Sequence, residues 1–404
     1  MTQPASLQER PPYSPLYFLA TLGAGGLMVT FFMFMMFWVP HPNQPVPIFE
    51  DIMAAFGDGP LALKVAIVVA MLGIAGFALL LIKSLIWNLR SLSAFRLSEA
   101  YDALRRSNAE TQLMAIPLAL AMVVNGGFIL GLVFVPGLWT VVEFLFPMAM
   151  VAFLLIGGYG LLIMRDFFGR VLIKGGFDCS TNNSFAQVLP AFAFAMVGVG
   201  MAAPAAMSSV ALTVGISFIL SSFFIVVALL LAVANVILGL RAMMEHGASA
   251  ESAPTLLVIV PLITVVAIAW LRQSHGLHVH FDVHGGAGET LSLLTTLLMV
   301  QLAILALGLT VLRGFGYVSK FVTGPGLSAG SYALVCPGVA LSVMLHFWLN
   351  KGLVASGLVE KFSLIYLLIS AVAVGLQVTM IWLVLKLNSK HMRREGAEAV
   401  VPAQ

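Results

Sequence analysis

The chain has 404 residues, of which 60% are hydrophobic and only 9% are charged, and its mean hydropathy is +1.03. No soluble globular protein of this length is expected to have such a composition, so the sequence predicts a polytopic membrane protein. The net charge of +3 comes from basic residues confined to a few loops, which excludes a nucleic-acid-binding surface. We expect a single transmembrane domain over 1–404, with cytoplasmic tails at 1–14 and 388–404.

Ten apolar runs are long enough to cross a hydrocarbon core of about 30 Å. They lie at about 15–39, 62–88, 111–135, 138–164, 185–205, 209–239, 252–272, 289–312, 327–349 and 361–387. The longest polar connections, 40–61, 89–110 and 273–288, are too short for a soluble domain. The second connection has helical spacing of Leu and Phe with charges between, which predicts either a short amphipathic helix at the interface or a solvated connector.

Lys and Arg are concentrated on one side of this predicted bundle. When the ten helices alternate in direction, all basic residues except Lys64, Arg272, Lys351 and Lys361 fall on the side of the N-terminus. Because loops that stay in the cytoplasm collect Lys and Arg, both termini and the loop 165–174 are expected to be cytoplasmic. Odd-numbered helices then run outward and even-numbered helices return, so the chain is predicted to form five helical hairpins.

A proline near the start of an apolar helix recurs at near-constant intervals along the chain, at Pro117, Pro190, Pro261 and Pro337. Such a repeat indicates a repeated structural unit. A proline inside a helix removes a backbone donor and kinks the helix, and in lipid the freed carbonyls must face a protein-lined or wet cavity. We therefore expect these prolines to line a central pore between the odd-numbered helices.

Helix 1 differs from the other odd-numbered helices because it has no proline after Tyr17. Its glycines Gly23, Gly25 and Gly26 can supply the same local flexibility, or they can let neighbouring helices pack closely. Gly23 lies near the depth of the prolines in the other units, so it is expected to face the pore.

Polar side chains within the odd-numbered helices are few and carry no carboxylate. They are Thr21, Thr30, Asn125, Thr264, Ser342 and His346. A path lined by hydroxyls, an amide and apolar walls is poorly suited to cations or proton relay, but it tolerates an anion that keeps part of its water. Basic cytoplasmic loops raise the local anion concentration. Asn125 and Thr264 are expected to line the pore, although each Ser or Thr can instead bond to its own helix.

The segment 175–191 contains GGFD, a polar spacer, Ser184-Phe185 and Leu189-Pro190-Ala191. This segment resembles the loop and fifth helix of the tellurite-resistance and dicarboxylate transporter family. That family includes bacterial tellurite-resistance channels, fungal malate and sulfite transporters, and the slow anion channels of plant guard cells. Weaker similarities are Tyr17-Phe18, Leu22-Gly23, Ile116-Pro117, Tyr332-Ala333 and Gly338.

The resemblance implies ten helices in five hairpins around one pore per subunit, assembled as a homotrimer in the lipid bilayer of a bacterial inner (plasma) membrane. It implies an anion channel or channel-like transporter whose partners are small inorganic or organic anions. No enzyme activity, cofactor, metal site or nucleic-acid partner is expected.

Channels of that family close the pore with a phenylalanine on helix 9, just before a glycine. Here Leu334, Val335, Cys336 and Pro337 precede Gly338, so this phenylalanine is missing. Cys336, Pro337 and Gly338 are still expected at the constriction. Phe194, one helical turn beyond Pro190, is the expected substitute plug, and the alternative is that it serves packing alone.

The motif HGLHVHFDVHGG places His275, His278, His280 and His284 on the predicted outer side. In an extended loop His278 and His280 would share a face with Asp282 and could bind Zn²⁺ or Cu²⁺ or respond to pH, whereas solvated histidines would bind nothing. The two cysteines, Cys179 and Cys336, fall in a cytoplasmic loop and a helix, so no disulfide is expected.

Two other functions, a proton-coupled carrier and a membrane redox subunit, remain as alternatives, and both depend on His346. A proton-coupled carrier for dicarboxylate, sulfite or a toxic oxyanion would need a titratable group near the midplane, and His346 is the one candidate. A membrane redox subunit would need paired haem histidines or metal ligands, and His346 has no histidine partner within the predicted helices.

Overall fold

A computed structural model of the protein describes residues 13–42, 44–283 and 285–392. It is 83% helical, and the described residues form no strand. The ten long helices are α1 (Phe18–Trp38), α2 (Leu61–Phe95), α3 (Ala115–Phe134), α4 (Val142–Lys174), α5 (Leu189–Met207), α6 (Ala211–His246), α7 (Ile259–His280), α8 (Ala287–Gly314), α9 (Val335–Phe347) and α10 (Leu364–His391). The predicted all-α fold with ten membrane-spanning helices is confirmed. Most of both predicted tails lies outside the described residues.

The helices form an inner and an outer layer. The odd-numbered helices are interior, with 56% to 100% of each apolar span buried, whereas the even-numbered helices have only 22% to 33% buried. Each odd-numbered helix contacts the next, and α9 returns to contact α1, so the five close into a ring. Each even-numbered helix packs against the odd-numbered helix that precedes it. The five-hairpin arrangement follows directly from these contacts.

The outer surface of the bundle is apolar. Large apolar side chains are exposed on the outer helices, for example Leu72 of α2 at 68%, Leu155 of α4 at 71% and Leu230 of α6 at 68%. Apolar surface on this scale would be unfavourable in water and is what a lipid environment accepts. Hydropathy and exposure therefore agree on a membrane-embedded bundle.

The four repeated prolines lie in the first turn of their α-helices rather than in the interior. A 3₁₀ turn precedes each of those helices, at Asn108–Met114, Ala186–Val188, Ala253–Leu257 and Ala329–Leu334. Proline suits a helix start because its fixed φ is already helical and its missing donor is least costly there. The repeated prolines thus mark the points where a 3₁₀ turn becomes an α-helix. The prolines that lie inside a helix are two others, Pro147 of α4 and Pro204 of α5.

An ion-pair cluster holds the segment before α3 against α4. The Glu110 side chain is 2% exposed and lies 2.9 Å from Arg105 and 3.0 Å from Arg170. Arg170 also donates to the backbone carbonyl of Ser107. The predicted amphipathic helix in this connection is present but short, at Glu99–Arg105, because α2 continues to Phe95.

Replacing Glu110 with Gln should lower the apparent melting temperature of the detergent-solubilised protein, because two arginines lose their shared carboxylate. Breaking a fully buried pair costs about 3–5 kcal/mol. Since the arginine side chains are 33% and 22% exposed, we expect about 1–2 kcal/mol. Glu245→Gln is the matched control, because its pair with Arg241 lies on the surface. Equal melting temperatures for the two variants would contradict the prediction.

Candidate functional site: a central cavity

A cavity of about 720 Å³ lies inside the ring and is lined by all five odd-numbered helices. Its lining begins at Leu22 of α1, Met122 of α3, Phe192 of α5, Pro261 of α7 and Cys336 of α9. The preceding turns of these helices are packed, since Phe18, Leu118, Val188 and Val335 are fully buried. The cavity is therefore closed near the starts of the odd-numbered helices.

The other end of the cavity reaches solvent. Its lining there includes His275 and His278 at the end of α7, Glu289 at the start of α8, and Lys351, all with exposed side chains. Segments 44–46 and 285–287 of the connecting loops also line this end. The cavity is thus open at the end where the odd-numbered helices end.

Half of the residues predicted to line the pore do line the cavity. They are Gly23, Asn125, Pro261, Thr264 and Cys336. Pro261 and Cys336 lie at its closed end.

The glycines of α1 serve both of the roles expected of them. Gly23 and Gly26 line the cavity and also let α1 approach α9, since a Cβ on Gly26 would lie 2.8 Å from Val339 Cγ1. A Cβ on Gly25 would instead lie 2.5 Å from Met122 of α3, so Gly25 serves packing.

Phe194 does not line the cavity, and the prediction that it plugs the pore is corrected. Its ring stacks on Phe224 of α6, with centroids 6.1 Å apart, and it lies against Gly160 of α4. Residues two positions apart on an α-helix point about 200° apart, so the cavity-facing ring is Phe192. Phe194 packs between the inner and outer layers.

Pro117, Pro190, Pro337 and Gly338 are also not among the lining residues. Gly338 faces the outer layer, because a Cβ there would lie 2.5 Å from the sulfur of Met380 on α10. Of the segment expected to form the constriction, Cys336 alone reaches the cavity. Pro117, Pro190 and Pro337 thus form part of the first turn of their helices and do not contact the cavity.

An outer helix contributes to the wall, which the sequence did not indicate. Phe153 of α4 lines the cavity although α4 is an outer helix. It fits because Gly200 of α5 leaves room, since a Cβ at Gly200 would lie 2.2 Å from the Phe153 ring.

The polar groups in the deep half of the cavity are bonded to the protein. Thr264 donates to the Ala340 carbonyl at 3.1 Å and accepts from Gln301 of α8 at 2.7 Å. Asn125 donates to the Ala121 carbonyl of its own helix at 3.0 Å. Thr264 therefore joins α7 to α8 and α9, rather than bonding mainly to its own helix as the alternative interpretation predicted, whereas Asn125 bonds within α3. The deep half therefore offers an occupant few free donors.

His346 is buried and does not line the cavity. Its ring lies against Phe34 and Phe37 of α1. Among the described residues, neither ring nitrogen has a hydrogen-bond partner. The aromatic rings around it place the imidazole beside the cavity and outside its lining.

Arg272 lies deeper in the bundle than the sequence predicted. The sequence placed it at the outer end of helix 7, but α7 continues to His280, so Arg272 lies within the helix and lines the cavity. Its Nη1 donates to the Val199 carbonyl of α5 at 2.7 Å. Among the residues that the structure describes, no carboxylate forms an ion pair with it. The cavity therefore holds an uncompensated positive charge.

A second cation lies at the open end. Lys351 belongs to the π-helical segment Trp348–Val354 that continues α9, and it lines the cavity. It is close enough to His275 to interact electrostatically. Glu289 is the one acidic residue among the described lining residues, so cations outnumber carboxylates.

The first part of the polar connection predicted at 273–288 is helical, because His275, His278 and His280 all belong to α7, so the extended arrangement that would place His278 and His280 on one face is not formed. His280 Nε2 lies 3.1 Å from the Ser208 carbonyl, and His278 Nδ1 lies 3.1 Å from the Val283 carbonyl. His284 lies outside the described residues. In the part of the chain that the structure describes, no group of three or more His, Cys, Asp or Glu can hold a metal ion.

No family model matches the chain, and no curated protein or solved structure matches it either. The features of the molecule that bear on its function are therefore the cavity and its charges.

Cys336 provides a probe of the potential at the closed end. In a Cys179→Ser background, we expect a sulfonate-bearing methanethiosulfonate to label Cys336 faster than a trimethylammonium-bearing one, after each rate is normalised to free cysteine. The reason is that the reagent must pass Arg272 and Lys351. Intact-protein mass spectrometry measures the rates, and Cys336→Ser with Cys179 retained serves as the surface control. Faster labelling by the cationic reagent would contradict a positive electrostatic potential between the open end and Cys336.

Proposed function

We propose that the protein passes small anions across the membrane through the central cavity, as a channel or channel-like transporter. The observation that supports this proposal is the cavity itself, enclosed by five helices and lined by Arg272, which has no carboxylate partner among the described residues. An ionisable residue within a membrane-spanning segment is costly and typically marks an ion or substrate path. Its charge, together with Lys351, favours anions.

A proton-coupled carrier for a dicarboxylate, sulfite or a toxic oxyanion is the second candidate. The observation that favours it is the closure of the cavity at one end, which is the form a carrier takes in one of its two access states. The titratable groups available to such a carrier are the lining residues His41, His275, His278 and Glu289, since His346 does not line the cavity.

We place the open end of the cavity outside the cell and both termini in the cytoplasm, on the strength of the basic-residue asymmetry. A bacterial inner membrane and a homotrimer with one path per subunit complete the proposal, and both rest on the family resemblance. Labelling of a cysteine introduced beside Arg105 by an impermeant reagent applied to intact cells would overturn this orientation.

Flux measurements on reconstituted liposomes test the proposal. Vesicles loaded with potassium chloride, nitrate or acetate are diluted into impermeant gluconate, and anion release is followed after valinomycin is added. A channel releases anion only when potassium can follow, and its reversal potential follows the anion gradient. A tightly coupled carrier instead gives pH-dependent exchange with little current. Release no faster than from protein-free liposomes under both protocols would refute both candidates.

A further inference from the structure

The size of the cavity bears on which anion it holds. Its volume is about 720 Å³, within the range of about 300–1,000 Å³ typical of sites for small organic molecules. A water-sized ion needs only on the order of 30 Å³. Along α7, Arg272 lies roughly 16 Å from Pro261 at the closed end, from eleven residues at about 1.5 Å each. A deep space therefore extends beyond the charge.

The wall of that space is apolar. Met122 of α3 and Met196 of α5 line it and are its methionine wall, whereas Met33, Met36 and Met207 line the cavity at or beyond the depth of Arg272, counted at about 1.5 Å per residue from the closed end. Methionine side chains are flexible and polarisable, so they adapt to apolar ligands of different shapes. A bare inorganic anion beside them would lose its water without gaining donors, because Thr264 and Asn125 are already bonded to the protein.

The charged part of an occupant has a defined partner in Arg272. One of the five guanidinium N–H donors is bonded to the Val199 carbonyl at 2.7 Å, which fixes the side chain across α5 and α7. Guanidinium donors form a rigid fork that matches a carboxylate in a bidentate arrangement. Lys351 and His275 lie further toward the open end, on the approach to this group.

From these observations we infer that the cavity binds an organic anion with an apolar body, its acid group on Arg272 and its body against the methionine wall. This inference deepens the proposed function and rests on it for the sign of the occupant's charge. The apolar body gains from transfer out of water, by about 0.8 kcal/mol for each buried methylene. Affinity is therefore expected to rise with chain length, which a site for halide or nitrate would not show.

Titration calorimetry on the protein in nanodiscs tests the inference, with acetate, butanoate, hexanoate and octanoate as ligands. Octanoate should bind at least about tenfold more tightly than acetate, which corresponds to about 1.4 kcal/mol. Hexanol and hexylammonium, which share the apolar body, should not compete with hexanoate. Empty nanodiscs correct for partition into lipid. Chloride or nitrate binding as tightly as octanoate would overturn the inference.

Two variants separate the head group from the body. Arg272→Gln should weaken binding of every carboxylate, whereas Met196→Gln should weaken octanoate and leave acetate unchanged. Arg241→Gln, which alters an exposed surface pair, is the matched control. If Arg272→Gln fails to fold, Met196→Gln still decides, because equal loss for octanoate and acetate would contradict the assigned wall.

The calorimetry and the flux assay fail independently of each other. A protein that releases chloride from liposomes but binds no octanoate would refute this inference and leave the anion path standing. A protein that binds octanoate but passes no anion would refute the proposed transport and leave the binding site.

Discussion

Anion flux through the Arg272→Gln protein is expected to be about tenfold to a hundredfold lower than through the wild type. The estimate follows from the roughly 1.5–3 kcal/mol that a hydrogen bond to a charged group contributes. Gln keeps a polar side chain of moderate length but removes the Arg272 charge from the α7 wall of the cavity. At this depth the passing anion would then meet a low-dielectric wall, while Lys351 and Glu289 remain nearer the open end.

The Arg272 prediction has two controls in the same liposome assay. Arg272→Lys keeps the charge but loses the planar fork, so it should retain partial flux. Arg241→Gln removes a positive charge from an exposed ion pair and should leave flux unchanged. Size-exclusion profiles and equal incorporation into liposomes are required for each variant. Wild-type flux from a well-folded Arg272→Gln protein would show that the cavity is not the path.

The positions of the helices and the chemistry of their first turns depend on local sequence, so both could be predicted from the sequence. Apolar length located all ten helices, and the repeated prolines marked four of the five inner helices, because each helix start carries its own turn chemistry. The end of α7 was missed by about two turns. Hydropathy falls at Arg272, yet the residues that follow remain helical to His280 and keep the charge within the wall.

Rotation of a helix about its own axis was the least predictable feature. An amphipathic helix shows which side faces the core, but the apolar span of α5 is buried over its whole length. Phe192 and Phe194 are therefore equivalent by sequence, and only packing with α4 and α6 distinguishes them. Gly338 was assigned to the constriction because of the family resemblance, and in the structure it faces Met380 of α10.

Phe192 and Phe194 also form a matched pair of variants. Phe192→Ala is expected to increase anion flux on the order of tenfold, equivalent to a barrier lower by about 1.4 kcal/mol. Its ring lies with Leu22, Met122 and Cys336 where the closed end of the cavity begins, and we expect this apolar collar to block ions by excluding water. Removing the ring widens this collar without changing any charge.

Phe194→Ala removes the same ring atoms from the packed layer between α5 and α6, so it should lower the apparent melting temperature and leave the flux per folded protein unchanged. The cavity left behind costs up to about 3–5 kcal/mol in soluble cores. Flux in liposomes and thermal unfolding in detergent are measured for both variants. Because the two substitutions are chemically identical, a difference in flux reports position alone. Increased flux from Phe194→Ala with unchanged flux from Phe192→Ala would reverse the assignment and place the collar on the opposite face of α5.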